Sequence, residues 1–446
     1  MSERAKVSSR LLGRLFTVGS LTVVVKLAAT AKELLVARRF GTGDDLDAFL
    51  MAFLVPSFAL NVLAGGFQLA FMPTYIRVRE QEGPAAAERL FAEVTTGLVV
   101  LFVAVAGLLA ALAPVYVPLL CPSFAPEKLA LTRRLVVEML PLVVLSGLSF
   151  SLAGVLNAAH RYALAAAAPL ATPLLLGILL VGLGPRATAG HLALGVVIGL
   201  GVELVCLAVG VRRLGVSLRP RRPRPDPAAR EVARQYLPMV ASCVLMSGTQ
   251  LVDQSMAAWL GPGSVSALGY GAKVVGMFVA VGTGALSTVF LPHFSDQVAQ
   301  QDWVGLRRGL RRALALVLAA AIAVTATLVA LSRPLVVLLF QRGAFSAADA
   351  DLVARVQALY ALQIPFATAG MILVRLISSL RGHRIILWAA GLNLAVDISM
   401  NLVLMRVLGV AGIALSTSVV YLGSFSFLWF WARRLLSAPD GGPARA

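Results

Sequence analysis

Residues 90–115 read LFAEVTTGLVVLFVAVAGLLAALAPV. One charge, Glu93, stands near the start, and the rest is apolar, small or neutral. A helix needs about 20 such residues to cross the hydrocarbon core of a bilayer, so this stretch reads as a membrane span. Working outward, the same test places twelve spans, at 15–38, 47–76, 90–115, 133–158, 163–184, 190–211, 235–260, 264–294, 313–340, 353–380, 384–405 and 410–432. Spans 2, 8 and 10 are long. They carry Pro56 with Gly65 and Gly66, Gly282 with Gly284, and Pro365 with Gly370, which predicts kinks or tilt.

Composition agrees. The chain is 59% hydrophobic and 13% charged, with a mean hydropathy of +0.86, whereas soluble domains carry about 25% charged residues. The net charge of +18 lies in short loops between apolar spans, which argues against nucleic acid as a partner. Three cysteines (Cys121, Cys206, Cys243) are too few and too scattered for a disulfide framework or a zinc site, and the four histidines show no ligand spacing. The basic N-terminus, MSERAKVSSRLLGRL, runs into span 1 without a small-residue cleavage site, so it is expected to be retained.

Positive charge sets the orientation. With the N-terminus cytoplasmic, the cytoplasmic segments hold 25 Lys and Arg and the outer loops 10, so both termini are expected inside. Residues 212–234 contain RPRRPRP with no interleaved aromatic residue. They read as a cytoplasmic linker held against anionic headgroups, each charge contributing about 1 kcal/mol.

The two halves repeat at an offset of about 220 residues, with six spans in each. Phe40-Gly41-Thr42-Gly43 matches Leu260-Gly261-Pro262-Gly263, and Ala70-Phe71-Met72-Pro73 matches Val289-Phe290-Leu291-Pro292. His160-Arg161 matches His383-Arg384, and Leu192-Ala193-Leu194 matches Ile413-Ala414-Leu415. The fold expected is an all-α membrane protein of twelve helices in two pseudo-symmetric lobes, 1–211 and 235–446, joined by the 212–234 linker. Parallel repeats of this kind belong to two-lobed transporters with a site near the midplane between the lobes.

Charges inside spans are expensive and by default functional. Only five residues are lysine, and Lys26, Lys32 and Lys273 fall within spans. Glu33 follows Lys26 by seven residues, on the same helix face and about 10 Å along it: too far to pair, close enough to line one cavity. Lys32 and Glu33 lie near the outer end of span 1, where snorkelling is an alternative. Lysine is a point-charge phosphate ligand. Glu138, Glu203 and Arg375 also fall within spans and are read as local ion-pair partners or protonation sites. No phosphate-cradling loop, catalytic triad or paired-carboxylate hydrolase motif is present. A transporter driven by an ion gradient or the membrane potential is therefore expected, not an enzyme.

Several stretches resemble the MurJ/MviN family of the MOP flippase superfamily: Ala37-Arg38-Arg39-Phe40-Gly41 with Asp47-Ala48-Phe49 and Ala70-Phe71-Met72-Pro73; Leu339-Phe340-Gln341-Arg342-Gly343-Ala344-Phe345; and Gly412-Ile413-Ala414-Leu415-Ser416-Thr417-Ser418. The resemblance implies a MOP/MATE-like fold in a bacterial inner membrane and alternating access. It also implies flipping of a polyprenyl-pyrophosphate-linked glycan precursor, lipid II or similar, to the outer leaflet. The family's cavity cations align with Lys26, Lys32 and Lys273 beside Glu33. With Asp47 these are the candidate substrate-binding residues. The family's sodium site maps onto Asp253, Asn393, Asp397 and Thr417. A carboxylate, an amide and a hydroxyl suit an alkali cation, and Asn393 and Asp397 are neighbours four apart on one face; Asp397 paired with Arg375 is the alternative. The family's span-2 arginine pair is absent, because the matching region reads Ser57-Phe58-Ala59-Leu60-Asn61. Spans 13 and 14 of many members are also not matched here.

Other readings are an exopolysaccharide or O-antigen precursor flippase, a MATE-type cation-coupled exporter, and a non-transporting envelope scaffold. Central lysines disfavour the exporter, whose cationic substrates call for acids. The expected partners are the lipid-linked glycan and membrane lipids, with the chain acting as a monomer.

Overall fold

The computed structural model describes residues 3–218 and 227–437. The central part of the expected linker, 219–226, lies outside the described residues. The described residues are almost wholly helical: α1 (Glu3–Phe40), α2 (Asp44–Gln81), α3 (Pro84–Leu120), α4 (Pro126–Met139), α5 (Pro141–Ala158), α6 (Tyr162–Ala167), α7 (Ala171–Leu183), α8 (Ala189–Arg212), α9 (Pro227–Ala258), α10 (Ser264–Ala299), α11 (Trp303–Ala330), α12 (Ser332–Phe340), α13 (Ala347–Ala361), α14 (Ile364–Ser379), α15 (His383–Leu408) and α16 (Val410–Leu436).

Ten helical stretches among them are long and apolar enough to cross a bilayer: α2, α3, α4 with α5, α6 with α7, α8, α10, α11, α13 with α14, α15 and α16. α1 and α9, of 38 and 32 residues, stand where spans 1 and 7 are expected. They are the more polar pair, holding Lys26, Lys32 and Glu33, and Gln250, Asp253 and Gln254.

Proline decides where spans break. Its ring clashes with the carbonyl four residues back and it has no N–H to donate. Pro141 and Pro365 open α5 and α14, so the expected spans at 133–158 and 353–380 are each two helices end to end. Span 9 is corrected more strongly. The helix there starts at Trp303, where the Asp302 side chain accepts from Gly305 N at 2.8 Å, a capping contact worth about 1 kcal/mol. It stops at Ala330, four residues before Pro334, and 332–340 forms the separate α12. By contrast α2 continues through Pro56 and Pro73, and α10 through Pro292.

The chain divides into two compact units, Met1–Ser247 and Gly248–Ala446, with the division inside α9. Unit 1 is built around α2. On one of its faces Phe71 lies 4.8 Å from Phe67 and 5.3 Å from Tyr75 between ring centroids, and 6.3 Å from Phe91 of α3. In lipid there is little hydrophobic drive between helices, so dispersion contacts and close backbone approach hold them. Phe102 of α3 fills the space that a side chain at Gly147 of α5 would need; a Cβ there would stand 2.0 Å from the ring. In unit 2, Gly412 lets α16 turn back onto α15, since a Cβ there would meet Leu404 O at 2.2 Å. Outward faces stay apolar, as in Val115 and Leu119 of α3 and Ile178 and Val181 of α7, all exposed.

The repeat has a local counterpart. The α5–α6 turn holds His160 at φ 58° and the α14–α15 turn Arg381 at φ 59°. Left-handed backbone is uncommon outside glycine, yet these two residues are separated by the sequence offset of about 220.

Candidate functional site

The polar centre of unit 2 lies where α9, α13, α15 and α16 meet. Asp253 of α9 is 8% exposed, and Asp397 and Asn401 of α15 are 1% and 0% exposed. Asn401 Nδ2 donates to Asp253 Oδ1 at 2.7 Å, and Thr417 Oγ1 of α16 donates to Asp253 Oδ2 at 3.2 Å. The Asp253 and Asp397 carboxyls lie within hydrogen-bonding reach of each other, and Thr417 lies within reach of the Tyr360 hydroxyl of α13. Asp397 Oδ2 and Asn401 Oδ1 are buried and receive no hydrogen bond. Unsatisfied buried acceptors cost about 1–3 kcal/mol each, and one of these two belongs to the Asp397 carboxyl itself.

Three of the four residues expected at a cation site thus converge: Asp253, Asp397 and Thr417. Asn393 does not bond to them; its Nδ2 donates to Ser424 Oγ at 3.2 Å. Asn401, one turn beyond Asp397, supplies the amide instead. Positions 393, 397 and 401 share one helix face, so spacing alone cannot choose between the two asparagines. Arg375 is not the partner of Asp397, and its buried Nε donates to nothing.

Of the candidate substrate residues, Lys26, Lys32, Glu33 and Asp47 belong to unit 1 and Lys273 to unit 2. Lys26 is exposed on α1 beside exposed Val23, Val24 and Leu27. Lys32 is paired with its neighbour Glu33, both half-buried. Lys273 of α10 is half-buried, its Nζ 5.1 Å from the centre of the Tyr270 ring. Tyr270 is itself clamped by Phe340 and Phe345 at 5.2 and 5.7 Å, which gives the Phe340–Phe345 motif a positioning role. Glu138 pairs with Arg134 one turn away at 2.7 Å.

Asp47 is fully buried at the start of α2, where Lys128 of α4 reaches its Oδ2 at 3.1 Å and Asp44 Oδ1 at 2.5 Å. Lys128, 9% exposed and 3.9 Å from the Phe124 ring centre, was not singled out by sequence because it lies in an outer loop by span prediction. Nearby Cys121 is buried, and desolvation pushes its thiol up to about 12, with the Lys128 charge opposing.

Helices of this length, with polar groups gathered inside a lobe, define a multi-pass membrane transporter fold. Solved structures agree on the fold. One titled "Lipid II flippase MurJ, inward closed conformation" superposes with a TM-score of 0.81 at 19% identity, covering 93% of this chain and 87% of that one. An inward-facing multidrug-resistance MATE family transporter of the MOP superfamily gives 0.75 at 15% identity, covering 97% and 99%. The sequence narrows the class. The profile described as "Lipid II flippase MurJ" matches residues 36–443, and the chain belongs to that family. The "Probable lipid II flippase MurJ" of Synechocystis sp. is 28% identical over 99% of this chain and 85% of its own length. The "Lipid II flippase MurJ" of Burkholderia cenocepacia is 27% identical over 82% and 72%.

Proposed function

We propose that this chain flips lipid II, or a closely related polyprenyl-pyrophosphate-linked glycan precursor, across the bacterial cytoplasmic membrane from the inner to the outer leaflet. The carrying observation is membership of the MurJ family over residues 36–443. Support from the site is chemical: Lys26 and Lys273 offer cationic ammonium groups on spanning helices, and a pyrophosphate is the anion such groups recognise. α1 and α9 complete the spans at twelve, with both termini and the 212–234 linker cytoplasmic, as the charge bias indicates. The transporter acts as a monomer of two lobes by alternating access and is not an enzyme.

Its driving cation fits the polar centre of unit 2. Asp253, Asp397, Asn401 and Thr417 would hold a sodium ion, the donor set being all oxygen and two of its acceptors otherwise unsatisfied. The ion would supply charge compensation for two neighbouring carboxylates. The test of function is complementation of a strain depleted of its own lipid II flippase. Growth supports lipid II as substrate. Failure with confirmed membrane expression refutes it and moves the substrate to another polyprenyl-linked glycan.

A further inference from the structure

One end of unit 2 is strongly cationic. α11 begins there with Arg307, Arg308, Arg311 and Arg312, and α16 ends there with Arg433 and Arg434, all six exposed. The two helix ends are joined: Arg307 donates to the Leu436 carbonyl, and Leu306, Leu310, Leu435 and Leu436 share one apolar cluster. Among the described residues none of the six pairs with a carboxylate. Asp302, at the head of the same helix, is engaged in capping Gly305. Elsewhere in unit 2 Arg333 pairs with Asp351 at 2.7 Å.

Two further features say what anion fits. Arg433 and Arg434 lie 5.9 and 5.6 Å from the Trp429 and Trp431 ring centres. Stacking of that kind orders a guanidinium while leaving its fork of donors free for a phosphate. On the side of the spans the cations also border exposed apolar side chains, with Leu316 73% and Phe430 57% exposed. A free phosphate would satisfy the arginines and leave that apolar rim unmatched. An anion joined to acyl chains matches both, and tryptophan at the boundary is the usual marker of headgroup depth.

We propose that the α11–α16 end of unit 2 is a binding site for the headgroup phosphate of an anionic phospholipid. The site is separate from the transported substrate and does not rest on its identity. The test is the thermal unfolding midpoint of the purified full chain in neutral detergent, titrated with phosphatidylglycerol. The midpoint is expected to rise saturably with phosphatidylglycerol, not with phosphatidylcholine or inorganic phosphate. The rise should be largely lost at about 1 M salt, where the screening length is about 3 Å. The combined variant Arg308→Gln, Arg311→Gln, Arg433→Gln and Arg434→Gln, which spares the tethering Arg307, is expected to weaken the apparent affinity at least tenfold. Arg333→Gln with Arg342→Gln should leave it within twofold. A lysine set at the same four positions keeps the charge and loses the fork, and is expected to fall between wild type and the glutamine set. An unchanged phosphatidylglycerol response in the glutamine set overturns the site. So does equal stabilisation by phosphatidylcholine or by inorganic phosphate. Should the glutamine set not fold, a wild-type response in the lysine set overturns the fork geometry.

Discussion

Replacing Lys128 by methionine removes the cation that Asp44 and Asp47 share from a buried cluster in which Asp47 has no exposed surface. Breaking a buried pair from one side costs about 3–5 kcal/mol, because the remaining charge is uncompensated. The two acids on Lys128 are not equivalent. The Asp44 side chain is 59% exposed, so solvent screens it and Asp44→Asn should cost at most about 1 kcal/mol. Asp47→Asn leaves Lys128 with Asp44 and the Phe124 ring, and should lose about one charge-assisted hydrogen bond, ~1.5–3 kcal/mol. The expected order of damage is therefore Lys128→Met, then Asp47→Asn, then Asp44→Asn. Adding Asp47→Leu to Lys128→Met should recover most of the loss, since a neutral, packed pair no longer buries a lone charge. Equilibrium unfolding of the purified variants in a denaturing detergent gives the order, and the Lys128–Asp47 double-mutant cycle gives the coupling. Equal effects of Lys128→Met and Asp44→Asn, or no recovery in the double variant, would show that the cluster is solvated and refute the reasoning.

At the polar centre of unit 2, Asp397→Asn and Asn401→Leu should each abolish sodium-dependent thermal stabilisation while Asn393→Ala retains it; the opposite ranking of the two asparagines would exclude Asn401 as a ligand. Lys26→Ala and Lys273→Ala should each abolish flipping in a reconstituted assay, with arginine replacements partly active, and wild-type rates in both alanine variants would mark these lysines as structural. Gly147→Ala should destabilise by roughly 1–3 kcal/mol through overpacking, since its Cβ would overlap the Phe102 ring; a neutral result in thermal unfolding would mean that α3 and α5 separate freely. Cys121, held near 12 by burial, has almost no thiolate below about pH 10, so maleimide at pH 7–8 should modify it only after denaturation.

The existence of ten of the twelve expected spans was legible because it depends on summed hydropathy, and stretches such as 90–115 leave no other reading. Span ends were not, because they hang on single residues. Pro334 closes α11 four residues upstream and Asp302 opens it, and neither alters a hydropathy window much. The convergence of Asp253, Asp397 and Thr417 was readable as residue types on facing helices, but which asparagine joins them required knowing the rotation of α15 against α9. The pairing of Asp47 was not legible, because a buried acid and an exposed one look alike until Lys128 is brought across from α4. Asn401, likewise, carries no sequence signal beyond its spacing from Asp397.

The end of α1 has a mechanical consequence. Arg39 grips the Pro185 and Ala187 carbonyls at 2.5 and 2.7 Å, and α1 packs on α6, α7 and the 168–170 turn. Thirteen residues separate Arg39 from Lys26, a lever arm of about 20 Å at helical rise. A 10° swing about the Arg39 anchorage would carry the Lys26 ammonium through about 3–4 Å, the difference between a direct phosphate contact and one relayed by water. The reach of that cation is thus governed from the far end of its own helix, by a grip on backbone atoms that replacing side chains at 185 and 187 would leave untouched.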